Sequence, residues 1–208
     1  SKHWHYGENY VWPSVENIGG SFYEHPTRTI VTKWATDLLP SEIDKCPVEP
    51  YDEEKENVFF VGSMQGENIR RFADVIKSKG KNFVNVGGYS GRFSLYDGNP
   101  PDINQNIAMV RDSYISFDIR EKPFFDMGKY YPCRIFKSLS YGKWCGSNMP
   151  ALKDLFGDYV TFDNNLDTLY DRVVEDYRSC TEKKMREAMN FIRDEHTYVN
   201  RLNDLLKL

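Results

Sequence analysis

The chain has 208 residues, of which 40% are hydrophobic, 15% aromatic and 28% charged, a composition typical of a soluble globular protein with a sizeable core. Its 27 Lys and Arg against 31 Asp and Glu give a formal net charge of -4, so no overall basic field favours nucleic acid as a partner. No apolar run reaches the roughly 20 residues of a membrane-spanning helix, and no charged-then-apolar leader opens the sequence. We therefore expect neither a membrane span nor a secretory leader in this sequence.

Residues 1–56 differ in composition from the rest of the chain. They contain three of the four tryptophans at no helical or strand period, and acidic residues and prolines crowd positions 40–56. Such an acidic, proline-punctuated stretch is typical of a solvated, semi-extended connector. We predict an irregular N-terminal segment and interdomain linker over 1–56, docked on the following domain with Trp34 partly buried.

From Asn57 onward, short apolar strands alternate with amphipathic helices. Strands are predicted at about 58–61, 83–86, 114–119, 144–147 and 159–162, and helices at about 67–80, 102–111, 132–141, 150–156, 166–178 and 181–206. This alternation requires right-handed crossovers and a parallel sheet covered on both faces. The predicted fold is α/β, a doubly wound, Rossmann-like parallel sheet over residues 57–208.

Ligands of open parallel sheets bind beyond the carboxyl ends of the strands, so the loops there are the candidate site. Gly62 and Ser63 follow the first strand and allow close backbone approach, and the helix near Glu67 aims N–H groups at an anion. An ordinary chain reversal explains this turn equally well. Gly87 and Gly88 end the second strand in a glycine-rich loop, which either covers a substrate or, the interpretation we favour, is a surface connection.

Charged residues follow two further elements. Arg134 and Lys137 lie near the start of the helix at Pro132, where cations are unfavourable for the helix dipole unless an anion binds there. This arrangement favours a bound diphosphate, and the alternative is that both side chains reach water. Asp118, Arg120 and Glu121 lie at the end of the third strand. The two carboxylates either hold a hydroxyl-rich ligand or pair with Arg120 or Lys122, and we favour the pairing.

Several kinds of chemistry lack their usual motif. The four histidines show no metal-ligand spacing, and the GxSxG, GxxxxGK[ST], HExxH and GxGxxG motifs are missing from the sequence. We therefore expect neither a metal nor another cofactor. The four cysteines are widely spaced without a CxxC pair, which favours a reducing, cytoplasmic location.

Two motifs carry a resemblance to a known family. They read Arg134-x-Phe136-Lys137-Ser138-Leu139-Ser140-x-Gly142 and, in the closing helix, His196-Thr197-Tyr198-x-x-Arg201. Together they resemble the carboxyl-terminal, donor-binding half of GT-B glycosyltransferases, and the similarity is greatest to the CgeB-like and group-one transferases. The resemblance covers residues 57–208. It implies that residues 1–56 are the end of the amino-terminal half and the linker, and the start at Ser1 rather than Met is compatible with a fragment of a longer protein.

The resemblance implies transfer of a sugar from a nucleoside diphosphate sugar to a hydroxyl of a glycan, lipid or protein acceptor, without a divalent metal. Arg134, Lys137 and the backbone of the 131–133 turn would neutralise the leaving diphosphate. Any catalytic base is expected from the amino-terminal half. The implied donor-binding residues are Gly62, Ser63, Gly87, Gly88, Asp118, Arg120, Tyr131, Pro132, Cys133, Arg134, Lys137 and Ser138.

The sequence departs from the family at two positions. Lys137 and Lys129 stand where the family carries glutamates, and Lys cannot accept hydrogen bonds from a ribose. Retaining or inverting stereochemistry is therefore left open. A non-catalytic module that binds a nucleotide sugar or a protein is the alternative, and a flavodoxin-like or receiver domain is a weaker one, since the acidic cluster of receivers is missing.

Overall fold

The computed structural model describes residues 34–62, 64, 66–87, 101–122 and 131–206. Within them, five short strands alternate with helices and every strand pair is parallel, which confirms the predicted α/β class with parallel strands. No helix in this part of the chain combines the length and the apolarity needed to cross a membrane.

The elements begin and end close to their predicted positions. The strands are β1 Asn57–Val61, β2 Asn82–Val86, β3 Ser116–Asp118, β4 Cys145–Ser147 and β5 Thr161–Phe162. The helices are α1 Pro40–Lys45, α2 Glu67–Ser78, α3 Ile103–Asp112, α4 Cys133–Ser140, α5 Pro150–Phe156, α6 Leu166–Ser179, α7 Glu182–Glu195 and α8 Tyr198–Leu206, with a 3-10 turn at Gly157–Tyr159. Helix α1 was not predicted.

The strands form two small sheets, β1-β2 and β3-β4-β5. They meet at β1 and β3, where the Tyr114 N–H donates to the Asn57 carbonyl at 2.7 Å and the rings of Phe60 and Phe117 stack with centroids 5.7 Å apart. The Phe59 N–H donates to a side-chain oxygen, that of Ser113, at 3.0 Å. Because β1 and β3 lie side by side, their carboxyl ends open on the same edge of the domain.

The core lies between these sheets and the helices on them. The buried face of α2 presents Ile69, Phe72 and Ile76, the apolar spacing from which the helix was predicted, and Phe72 packs edge-on against Phe117. On the other sheet, a Cβ on Gly146 would lie 2.1 Å from the Val173 side chain, so glycine in the middle of β4 lets α6 pack directly on the strand.

The acidic stretch is packed on the domain at several points, although most of its acidic side chains are exposed, as their charges predict. Ile43 of α1 is buried, and the Tyr177 hydroxyl donates to the carbonyls of Glu49 and Pro50 at 2.8 and 3.0 Å. The Glu49 carboxylate pairs at 2.7 Å with both Lys55 and Arg111. Residues 34–56 are therefore packed on the α/β elements, and Trp34 is partly buried as expected. Residues 1–33 lie outside the described residues.

The closing helix, predicted as one element, is broken into α7 and α8. At the break, Thr197 forms a parallel bridge with Thr36, and the Thr36 N–H donates to the His196 carbonyl at 3.1 Å. The Thr197 hydroxyl accepts the N–H of Asn200 at 3.2 Å and so caps the start of α8. Apolar periodicity continues across 196–197, so the sequence pattern does not show that the bridge to Thr36 interrupts the helix.

Arg201 ties this break to the 34–38 segment. It is 8% exposed, and its guanidinium donates to the carbonyls of Glu195 at 2.8 Å and Trp34 at 3.2 Å. Its Nη2 also lies 2.8 Å from Nδ1 of His196, and since a guanidinium only donates, Nδ1 accepts. The motif residues His196 and Arg201 therefore have a structural role in holding two chain segments together.

We predict that Arg201→Leu lowers the free energy of unfolding by about 2–4 kcal/mol, because three buried or partly buried acceptors lose a charged donor at once. The measurement is urea unfolding followed by circular dichroism. Arg193→Leu is the matched control, since Arg193 pairs with the largely exposed Asp44 and its loss should cost no more than about 1 kcal/mol. Equal losses in both variants would show that the 34–38 segment is not held by Arg201.

A second buried cation lies between the end of α3 and the start of β4. Lys143 is fully buried, and its ammonium donates to the carbonyls of Ser113 and Arg111 and lies 4.9 Å from the Tyr177 ring centroid. Burial, assisted by the charge of Lys55, lowers the pKa of Lys143 from 10.5 to about 7. Between these two values the unfolded chain binds more protons than the folded chain, so stability rises with pH there.

We therefore predict that the free energy of unfolding rises between pH 7 and 9.5 by up to about 1.4 kcal/mol per pH unit from this group alone. Lys143→Met should remove that part of the slope. The measurement is urea unfolding at a series of pH values, taken as the difference between the parent chain and the variant. Parallel pH profiles would mean that Lys143 keeps its ordinary pKa in the folded chain.

Candidate functional site

Arg134 brings the start of α4 to the ends of β1 and β3. Its Nη2 donates to the Val61 carbonyl at 3.0 Å, its Nη1 pairs with Asp118, and its guanidinium carbon lies 4.4 Å from the ring centroid of Phe60. The carboxyl ends of two parallel strands and one helix N-terminus thus meet at one side chain, and this is the position where ligands of such folds bind.

The local sequence explains how Arg134 reaches this place. Pro132 occupies the N-cap position rather than the first helical turn, no side chain caps α4, and its first turn carries no acidic residue. The start of α4 therefore keeps its positive dipole end without a side-chain anion from its own turn. A Cβ on Gly62 would lie 2.8 Å from Nη2 of Arg134, so this glycine leaves the space that the guanidinium fills.

Asp118 and Arg120 pair with each other, as favoured from the sequence. The Asp118 carboxylate is fully buried and accepts from Arg120 Nε at 2.8 Å and from Arg134. It therefore faces two guanidiniums and does not present itself to a hydroxyl-rich ligand. The two arginine side chains that share this carboxylate are 24% and 22% exposed.

Two asparagines that sequence reasoning missed hold the loop after β3. The Arg120 N–H donates to the Asn148 side chain at 2.8 Å, and the amides of Asn148 and Asn68 donate to the Arg120 carbonyl at 2.9 and 2.8 Å. Asn148 is 2% exposed and follows β4 directly. For Asn148, the only signal in the sequence was an asparagine directly after a buried strand, and this is also typical of an ordinary turn.

A carboxylate from elsewhere in the chain fills the predicted anion position at the start of α2. Glu121 Oε1 accepts the Asn68 N–H at 2.7 Å, and a Cβ on Gly66 would lie 2.3 Å from the same oxygen. The start of α2 thus holds an internal carboxylate. Ser63, in the turn after β1, lies outside the described residues.

Lys137 is not placed with Arg134. Its ammonium pairs with Asp37 at 2.7 Å, and Asp37 also accepts the Tyr141 hydroxyl at 2.5 Å. Lys137 therefore attaches the 34–39 segment to the last turn of α4, through an ion pair with a residue about a hundred positions earlier in the sequence. The expectation that both cations face a diphosphate is wrong for Lys137 in this geometry.

Other predicted residues lie in different surroundings. Ser138 is fully buried and shares a hydrogen bond of 2.7 Å with Ser116 of β3, so it is a packing residue rather than a contact of a ligand. Tyr131 is buried, which raises the pKa of its hydroxyl, and Cys133 is partly exposed at the start of α4. Gly87 accepts from the Asn85 amide at the end of β2, and Gly88 lies outside the described residues.

Within the described ranges, no three His, Cys, Asp or Glu side chains are grouped so that they would hold a metal ion. Comparisons with protein families, with curated proteins and with solved structures found no match to this chain. The candidate site is therefore defined by its own geometry and charge: Arg134, Arg120 and buried Asp118 at the strand ends, with the start of α4 beside them.

We predict a structural role for the Lys137–Asp37 pair. The two side chains are 27% and 24% exposed, so a double-mutant cycle with Lys137→Met and Asp37→Asn should give a coupling free energy of about 1 kcal/mol in urea unfolding. The control cycle uses Lys79 and Asp171, an ion pair with side chains 38% and 60% exposed, for which we expect less than about 0.5 kcal/mol. Equal coupling in the two cycles would contradict this role.

Proposed function

We propose that this chain is the donor-binding half of a GT-B glycosyltransferase. In this proposal a Rossmann-like domain holds a nucleoside diphosphate sugar, and the sugar passes to a hydroxyl of a glycan, lipid or protein acceptor. The observation that carries the proposal is the position of Arg134, which lies in the first turn of α4 and contacts the carboxyl end of β1. The resemblance of residues 134–142 and 196–201 to that family supports the same interpretation.

The electrostatics of the site suit a phosphate leaving group. Negative charge accumulates on the diphosphate as the bond to the sugar breaks, and a catalyst must stabilise it. Arg134 keeps a partly exposed guanidinium beside Asp118, and the α4 N-terminus adds a partial positive charge. These groups are fixed in position before the ligand arrives, so they stabilise the developing charge without rearranging.

The remaining strand ends would border the other parts of the donor. Gly87 at the end of β2 and the backbone at Arg120 after β3 lie at loops suited to the base or the sugar. Lys137 does not take over the ribose contact of the family glutamate, because it is paired with Asp37. In this proposal ribose recognition is assigned to another position.

The same ion pair favours a second candidate, a non-catalytic module that binds a nucleotide sugar or a protein. Lys137 replaces a family glutamate and is used to hold the 34–39 segment, which is the behaviour of a scaffold residue. Steady release of nucleoside diphosphate from a nucleotide sugar supports the transferase. Binding of the same nucleotide sugar without release supports the binding module.

The test is calorimetric titration of the full chain with a panel of nucleoside diphosphates and nucleotide sugars. Arg134→Ala should weaken binding by about 10- to 100-fold, the scale of one or two hydrogen bonds to a charged group. It should also lower stability, because buried Asp118 loses one of its cations, so Arg134→Lys serves as the variant that keeps the charge but loses the planar fork.

Two controls separate this effect from a general change of charge. Arg193→Ala removes an arginine of α7 that pairs with Asp44, and Lys137→Met removes the cation paired with Asp37, and both variants should bind like the parent chain. The proposal fails if the parent chain binds nothing in the panel, or if both Arg134 variants bind as the parent does.

A further inference from the structure

Asn85 of β2 carries a buried acceptor that no donor in the described part of the chain satisfies. Its side-chain nitrogen donates to the Gly87 carbonyl at 3.2 Å. Because an oxygen in that place would face the carbonyl oxygen, this contact identifies which end of the amide is Oδ1. Among the described residues, no donor lies within hydrogen-bonding distance of Oδ1, which is buried. Such an acceptor costs free energy on folding, so its presence needs an explanation.

The strand itself gives no reason for an asparagine at this position. Asparagine is depleted in strands, whereas the neighbouring Val84 and Val86 are of the type that strands favour. The pairing of β1 with β2 uses backbone groups and needs no side-chain oxygen. A residue that weakens its own strand and carries an acceptor without a donor in the described chain is typical of a functional position rather than a packing position.

Asn85 lies on the same sheet face as the residue that supports Arg134. Asn85 and Phe60 are register partners of the parallel β1–β2 pair, and side chains of register partners lie on one face of a sheet. The rings of Phe60 and Phe83 stack with centroids 6.1 Å apart, and Phe83 shares the face of Asn85 because it lies two residues earlier. The guanidinium carbon of Arg134 lies 4.4 Å from the centroid of the Phe60 ring. Phe60 therefore has the guanidinium on its ring and Asn85 beside it on the neighbouring strand.

We propose that Asn85 Oδ1 accepts a hydrogen bond from an O–H or N–H group in the nucleoside part of a ligand whose phosphates bind Arg134. This inference rests on the proposed function for the identity of the ligand, and it adds one specificity-determining residue to the site. The nucleoside carries such donors on its ribose and on its base, whereas ionised phosphate oxygens accept hydrogen bonds from Arg134.

The energetics favour this use of Asn85. A ligand donor would make a hydrogen bond that the described part of the chain leaves unmade, so no internal hydrogen bond has to break first. A site that presents a buried acceptor also discriminates against a ligand without the matching donor, because the acceptor then stays unpaired. Asn85 would therefore separate nucleotides from phosphates that carry no nucleoside.

The experiment titrates the full chain with uridine, adenosine and guanosine diphosphates and, separately, with inorganic pyrophosphate, which lacks a nucleoside. Asn85→Leu removes the acceptor at similar side-chain size and should weaken binding of at least one nucleoside diphosphate about 5- to 10-fold, the scale of one hydrogen bond. It should change the affinity for pyrophosphate by less than about twofold. An equal loss for all three nucleotides assigns the donor to the ribose, and a loss confined to one of them assigns it to the base.

Two further variants separate the binding effect from an effect on the fold. Asn82→Leu is the matched control, because this exposed asparagine begins the same strand at its other end, and it should leave every affinity within about twofold. Asn85→Ala removes the acceptor without adding apolar bulk. Without ligand, Asn85→Leu should unfold at a urea midpoint at least as high as that of the parent chain, since an unpaired buried acceptor is gone. A lower midpoint in both Asn85 variants would show that the fold uses this amide, which overturns the inference.

The outcomes separate this inference from the proposed function. If nucleotide binding depends on Arg134 but neither Asn85 variant weakens it, the inference on Asn85 is wrong and the donor site stands. If nucleotide binding depends on Asn85 and not on Arg134, the acceptor role stands and the proposed phosphate position fails. An equal loss of pyrophosphate and nucleotide affinity in Asn85→Leu would show an indirect effect on the phosphate position, which overturns the inference. A parent chain that binds no nucleotide overturns both.

Discussion

The ion cluster around Asp118 is the interaction on which the edge formed by the carboxyl ends of β1 and β3 depends. A fully buried carboxylate is costly to desolvate, and here two guanidiniums from different elements offset that cost. Arg120 closes the loop after β3, and Arg134 connects the same carboxylate to the Val61 carbonyl of β1 and to the start of α4. One buried carboxylate and its arginine thus hold β1, β3 and α4 together, and the ligand binding proposed above would use the same arginine.

The 34–39 segment is attached to the C-terminal helices by polar contacts of another kind. Thr36 bridges to Thr197 through the backbone and shares a hydrogen bond of 2.6 Å with Ser140, while Arg201 donates to the Trp34 carbonyl. His196 packs against the rings of Phe136 and Phe191, with centroids 5.2 and 4.7 Å away. The motif residues His196 and Arg201 thus stabilise the fold. Any effect that they have on a bound nucleotide sugar would be transmitted through α4.

The sequence predicted the alternation of strands and helices well, because each of those elements is set by local periodicity. Phe60, Phe72 and Ile76 sit where their spacing placed them. It could not predict the pairing of charges, since this depends on contacts between residues far apart in the chain. Lys137 pairs with Asp37, and Glu121 accepts the Asn68 N–H. The spacing of these residues in the sequence does not indicate either contact. For the same reason, the sequence predicted that ion-paired side chains such as Glu49 are exposed to solvent.

The charges of the site also decide how a ligand would share Arg134 with the fold. A guanidinium has five N–H donors in a planar fork, and the bonds to Asp118 and to the Val61 carbonyl occupy two of them. A phosphate can therefore bind the remaining exposed edge without breaking the contact with Asp118. A bound phosphate would add an acceptor to the cluster while both existing bonds of Arg134 stay in place. A lysine at this position would lack that second edge, so an arginine suits both the buried carboxylate and the proposed ligand.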